Sequence, residues 1–144
     1  MEDQRRQERN REDRIVKELL KLVAENEYTG EIIYRDLAKR AKRKIDRRRL
    51  DHLIDEKRDH LKEIKRLYRL FFYRELPQFK RRRPPKKGFK EILSRSLLRE
   101  TDNNRFYRQI YDRLPKGEVA YGISVLLDDG RRALRTIERM LNKE

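Results

Sequence analysis

Residues 75–89 read ELPQFKRRRPPKKGF. Pro77, Pro84, Pro85 and Gly88 forbid a continuous helix here, because proline lacks the N–H donor and its ring clashes with the preceding turn. On both sides the apolar residues recur at helical spacing. Upstream, Ile15, Leu19, Leu22 and Val23 form one stripe with Leu20 beside it, continuing through Tyr34, Leu37 and Ala41. This predicts one helix over 12–43, weakened at Gly30 by about 1 kcal/mol relative to alanine. Asp46 is placed to cap a second helix. Its apolar face is Leu50, Leu53, Ile54, Leu61, Ile64, Leu67 and Tyr68, ending near Tyr73. Downstream, Ile92, Leu93, Leu97, Phe106, Tyr107 and Ile110 predict a third helix over 90–114. Pro115-Lys116-Gly117 breaks it, and a fourth runs over 118–142 through Val119, Ile123, Leu126, Leu127, Leu134, Ile137 and Leu141. Short connections make antiparallel neighbours, whereas a crossover over 75–89 can return the chain along the bundle so that the second and third helices run parallel. The expected architecture is an all-α four-helix bundle over 12–144 with one long crossover, preceded by a charged extension over 1–11 that is expected as either a helical extension or a docking tail.

A length of 144 residues suggests one domain. Charged residues make up 47% and hydrophobic ones 35%, a balance that would suit a disordered chain if the apolar residues were scattered. Their helical spacing argues for amphipathic helices instead. The chain has no cysteine, which excludes disulfides, iron–sulfur clusters, four-cysteine iron sites and thiol catalysis. It has no apolar run of membrane-spanning length, and its first residues, MEDQRRQERNRED, are polar throughout; a cytoplasmic protein is expected. Heavy use of Lys, Arg and Glu fits a thermophile, where ion-pair networks contribute more. No phosphate-cradling glycine loop, Gly-x-Ser-x-Gly or HExxH is present.

The formal net charge is +15, which implies attraction to polyanions. Two clusters concentrate it. Residues 35–49, RDLAKRAKRKIDRRR, include Lys42, Arg43, Lys44, Arg47, Arg48 and Arg49. The crossover stretch KRRRPPKKGFK, 80–90, includes Lys80, Arg81, Arg82, Arg83, Lys86 and Lys87. Such residues can follow a phosphate backbone without reading sequence. Phe79 and Phe89 flank the second cluster and are placed to stack on unpaired bases. No recognition helix or RNA-binding motif specifies a sequence. The alternative is a solvated basic face.

At an offset of 73 residues the chain partly matches itself: Glu27 falls on Glu100, Tyr34 on Tyr107 and Arg35 on Arg108. Further on, Leu53, Asp55, Arg58, Leu61 and Ile64 fall on Leu126, Asp128, Arg131, Leu134 and Ile137. The ordered matches suggest two related helical hairpins about a pseudo-twofold axis.

With these residues the chain, over 15–141, resembles the ferritin-like superfamily and rubrerythrin domains in particular. EYTGEIIYRDLAKRA is similar to the first rubrerythrin helix and RETDNNRFYRQIYDRL to the third; DEKRDHLKEI and DDGRRALRTI stand where the family carries Glu-x-x-His. The resemblance implies a ferritin-like bundle built from two repeated hairpins. It also implies a di-iron site, since two cations need several carboxylates and imidazoles from four helices. Carried over residue by residue, Glu27 and Glu100 match the two helix glutamates. The first Glu-x-x-His reads Lys57-Arg-Asp-His60, and the second reads Gly130-Arg-Arg-Ala133. Lys57 therefore replaces one ligand, His60 is kept, and two ligands are lost.

Three readings of this remnant stay open. In the first, Lys57 neutralises Glu27 and Glu100 inside the bundle with His60 nearby and no metal, because unpaired buried charges are so costly. In the second, all four are partly solvated. In the third, Glu56 and His60, one helical turn apart, join Glu27 and Glu100 around a single Zn, Fe or Mn. Tyr34 and Tyr107 are expected as buried tyrosines with bonded hydroxyls. His52 is expected on a flank, and Asp55 and Asp128 in outward ion pairs with arginine.

The leading expectation is a non-enzymatic basic scaffold that has lost its di-iron centre and binds nucleic acid or a nucleoprotein assembly, as a monomer or a homo-oligomer. The alternatives are a residual rubrerythrin-like metal protein handling iron or peroxide as a di-metal oxidoreductase, and a structural coat or shell subunit.

Overall fold

The periodicity is realised as four helices in the computed structural model, which describes residues 1–144. They are α1 (Glu2–Arg40), α2 (Lys44–Phe72), α3 (Phe89–Arg113) and α4 (Glu118–Leu141), with no strands. α1 packs on α2 and α3, and α4 packs on α3 and α2. None of the helices is long and apolar enough to cross a membrane.

Two apolar clusters define the helix directions. One joins Leu20 and Val23 of α1 to Ile64 and Leu67 of α2, Ile110 of α3 and Ile123 of α4. The other joins Leu37 of α1 to Leu50 and Leu53 of α2, Ile92 of α3 and Ile137 of α4. The late part of α2 thus lies with the late part of α3, while α1 and α4 run the opposite way. The connection 73–88 must therefore travel the length of the bundle. Its 16 residues can span about 50 Å when extended, against about 37 Å for the 25 residues of α3. Proline-rich chain suits this path, since it lies extended without needing helical hydrogen bonds.

The helix boundaries depart from the sequence expectation in instructive ways. α1 begins at Glu2, so the charged extension 1–11 is helical and continuous with the bundle. Its residues are exposed, and Glu2 and Asp3 lie in the first turn, where acidic side chains favour the helix dipole. α1 stops at Arg40, three residues earlier than expected, with Ala41 extended. Asp46 does not cap α2. Arg43 takes that position without a side-chain hydrogen bond, and Asp46 sits buried in the first turn beside Arg43 and Arg49. Tyr73 closes α2 in the left-handed conformation, φ 56°, its N–H donating to the Arg69 carbonyl. Leu22 was placed on the core stripe but is 44% exposed, and Leu20 is buried in its place. The inward face of α1 is narrower than the run of leucines suggested.

Gly30 is no weak point. A Cβ there would sit 3.2 Å from Lys57 Cδ, so the glycine makes room for the stem of a buried lysine.

Candidate functional site

Between the two apolar clusters each helix passes through a polar level. In α1 it is Glu27, between Ala24 and Ile33; in α2 it is Lys57 and His60, between Ile54 and Ile64. In α3 it is Ser96, Glu100 and Asn103, between Leu93 and Tyr107. α4 contributes Gly130, which has no side chain to fill the level. Glu27, Lys57 and Glu100 are each 2% exposed or less, and His60 is 5% exposed. One of the three sequence readings placed these four together, and the structure gathers them in one buried cluster.

Lys57 Nζ lies 2.6 Å from Glu100 Oε1 and 3.3 Å from both oxygens of Glu27. The tyrosines bond crosswise. Tyr34 on α1 donates to Glu100 on α3 at 2.7 Å, and Tyr107 on α3 donates to Glu27 on α1 at 2.9 Å. Asn103 Nδ2 donates to Glu27 Oε1 at 2.8 Å. His60 bridges two carboxylates: Nδ1 is 3.0 Å from Glu27 Oε2 and Nε2 is 2.9 Å from Asp129 Oδ2. Ionised carboxylates only accept, so both ring nitrogens carry protons and His60 is an imidazolium. The buried charges then balance, Lys57 and His60 against Glu27 and Glu100.

These contacts set the ionisation. Burial pushes the Glu27 carboxyl up, but the Lys57 ammonium and the bonds from His60 and Tyr107 outweigh it and bring it down to about 2. Burial pulls the Lys57 ammonium down, and Glu100 and Glu27 more than reverse this. His60 is likewise raised against burial by its bond to Glu27. Burial, reinforced by the facing glutamates, lifts both tyrosine hydroxyls well above their ordinary range. The carboxylates thus favour the protonated forms of Lys57 and His60, and burial favours the neutral form of both tyrosines.

A di-iron centre, which the rubrerythrin resemblance implies, does not fit these residues. An ammonium stands between the two carboxylates, and both oxygens of Glu27 already accept bonds from protein donors. No group of three or more His, Asp or Glu side chains is arranged to hold a metal ion. In the single-metal alternative Glu56 was to share that task, but it pairs with His52 at 3.0 Å. His52 is on an exposed flank. Asp128 pairs outward with Arg131, whereas exposed Asp55 makes no ion pair.

Sequence reasoning missed two members of the cluster. Asp129 follows the aligned Asp128, and a carboxylate on the edge of a repeat carries no periodic signal. Asn103 stands one turn after Glu100 and shares its face, a spacing that would have marked it.

The basic clusters meet in space. The crossover runs along α1: Phe79 stacks on Tyr28 with ring centroids 5.3 Å apart, Arg82 pairs with Glu25, and Arg40 Nη1 donates to the Lys87 carbonyl at 2.8 Å. Lys86 and Lys87 therefore arrive beside the α1–α2 turn that carries Lys42, Arg43 and Lys44. Several of the cations have internal partners. Arg43 and Arg49 hold Asp46 and the Glu144 main-chain oxygen, and Arg47 donates to the Ala41 carbonyl. Lys42, Lys44, Arg48, Lys80, Arg81, Arg83, Lys86 and Lys87 are exposed. Phe79, expected to stack on bases, is committed to Tyr28 and the core. Phe89 lies half-buried at the start of α3, beside the basic turn.

Comparison with protein-family models, with curated proteins and with solved structures finds no match to this chain.

Proposed function

We propose that this chain is a non-enzymatic, ferritin-like scaffold that binds nucleic acid through one basic end of its bundle, the polar level serving as an internal ion cluster where relatives of the fold would carry iron. The observation that carries the binding reading is the Arg40–Lys87 contact, which joins two basic clusters 47 positions apart at one end of the molecule. Lysines and arginines from a non-helical strap and an adjoining turn form a convergent surface for phosphates, and contacts of this kind position a backbone without reading its sequence. The reciprocal Tyr34–Glu100 and Tyr107–Glu27 bonds support descent from a duplicated hairpin, since each half supplies the other with the same donor.

The test is binding of a fluorescent oligonucleotide measured across salt. The logarithm of the affinity should fall linearly with the logarithm of salt, by about 0.7–0.9 per phosphate contacted. Replacing Lys42, Lys86 and Lys87 by glutamine should flatten that slope. Absence of binding at low salt would defeat the proposal.

A further inference from the structure

A pocket of about 450 Å³ opens at the basic end, between the α1–α2 turn, the start of α3 and the end of α4. Its size falls within the range of small-molecule sites, about 300–1,000 Å³. Its floor is apolar, made by Phe89, Leu93, Met140 and Leu141. Its rim is cationic. Arg40 and Arg43 reach it but are held by Asp36 and Asp46, whereas Lys42, Lys90 and Lys143 have no carboxylate partner. Asp46 is the one acid in the lining, and Arg43 and Arg49 engage it. An apolar floor under unpaired ammonium groups suits an occupant with a flat, weakly polar body and an anionic tail. A phosphate alone leaves the floor unused, and a base inside a duplex is already stacked and cannot enter.

Resting on the polyanion-binding reading above, we propose that this pocket seats one unpaired nucleotide of a single-stranded nucleic acid, its base against Phe89 and the apolar floor and its phosphate on the lysine rim. Stacking on an aromatic ring is tolerant of base identity, because every base has a π-face. The pocket therefore converts a surface that attracts any polyanion into one that prefers single strands, without sequence specificity. The crossover lysines 86 and 87, next to the rim, continue the phosphate track away from the seat.

The experiment compares a labelled 12-nucleotide single strand with the corresponding 12-base-pair duplex, at equal salt, using the full chain. The single strand should bind at least tenfold more tightly. Phe89→Leu keeps the apolar volume and removes the ring; it should weaken single-strand binding about tenfold and leave duplex binding unchanged. Lys143→Gln, on an exposed residue that does not endanger folding, should weaken single-strand binding by a smaller factor. Chemical shifts of Phe89, Lys90 and Met140 amides should move on adding a nucleoside 5′-monophosphate and not on adding inorganic phosphate at the same concentration. Equal affinity for the two oligonucleotides, preference for the duplex, or indifference to both substitutions would overturn the seat while leaving polyanion binding intact. Displacement of the single strand by a long-chain fatty acid but not by the nucleotide would overturn it in favour of a lipid-like ligand. Failure of both oligonucleotides to bind would overturn the broader reading and the seat together.

Discussion

Lys57 reaches Glu27 and Glu100 by lying along Gly30: a Cβ on Gly30 would stand 3.2 Å from Lys57 Cδ. The glycine of one helix and the buried ammonium of the next are one device. A second small–large contact occurs in the other hairpin, where Gly130 faces Asn104, whose side-chain oxygen occupies the space a Cβ would take. The two contacts differ in what the larger residue does. Lys57 neutralises two buried carboxylates, whereas the Asn104 amide makes no hydrogen bond.

Lys57→Met should lower stability by about 3–5 kcal/mol, because it leaves Glu100 buried without a cation and Glu27 with His60 alone. Urea unfolding at neutral pH measures this. A change near zero would show that the ammonium is not needed to hold the cluster.

The two glycines should respond oppositely to alanine. Each substitution gains about 1 kcal/mol of helix propensity. At Gly130, Asn104 can swing away with no hydrogen bond to lose, so Gly130→Ala should stabilise by up to about 1 kcal/mol. At Gly30 the Lys57 stem must shift and lengthen its contacts to Glu27 and Glu100, so Gly30→Ala should gain nothing or destabilise. Paired thermal melts decide this, and a stabilised Gly30→Ala would contradict the tight packing.

Tyr107→Phe removes one bond to the ionised Glu27, and Tyr34→Phe removes one to Glu100. Hydrogen bonds to charged groups contribute about 1.5–3 kcal/mol, so each variant should lose stability in that range. The double variant tests whether the crosswise pair is coupled through Lys57; losses that add simply would show that it is not.

The cluster should shape the pH profile of stability at both ends. Glu27 is lowered from 4.5 unfolded to about 2 folded. Its contribution, about 3 kcal/mol, is complete above pH 4.5 and lost as pH falls toward 2. His60 is raised above 6.5, so its contribution is complete below that pH and lost as pH rises through the folded value. His60→Gln should remove this alkaline decline and leave the acid limb in place. Denaturation midpoints measured from pH 2 to pH 9 check both, and an unchanged alkaline limb would assign it to another group.

Much of this was legible in sequence because the responsible signals are local. A 3.6-residue period marks a helix wherever it occurs, and prolines at 77, 84 and 85 stop one regardless of the rest of the chain. The grouping of Glu27, Lys57, His60 and Glu100 was one of three readings that the rubrerythrin resemblance left open: the 73-residue offset aligned only the two glutamates, and the cost of unpaired buried charge favoured Lys57 as their partner. Leu22 and Asp46 were misplaced for a common reason. A leucine on the margin of a stripe, and an aspartate near a helix start, each have two local solutions of similar energy, and the neighbouring helix selects between them.

By itself the sequence determined four amphipathic helices, one long proline-rich crossover and a large positive charge, and it left open whether Glu27, Lys57, His60 and Glu100 meet inside the bundle or stay partly solvated. Only the tertiary structure decided that the crossover follows α1, that Lys87 meets Arg40, that Asp129 completes the His60 bridge, and that Phe79 stacks on Tyr28 while Phe89 faces a pocket. Periodicity and charge are properties of a segment. Which edge residue meets which partner depends on how far one helix slides and rotates against another, and a single residue of slip changes every such contact while leaving the pattern untouched.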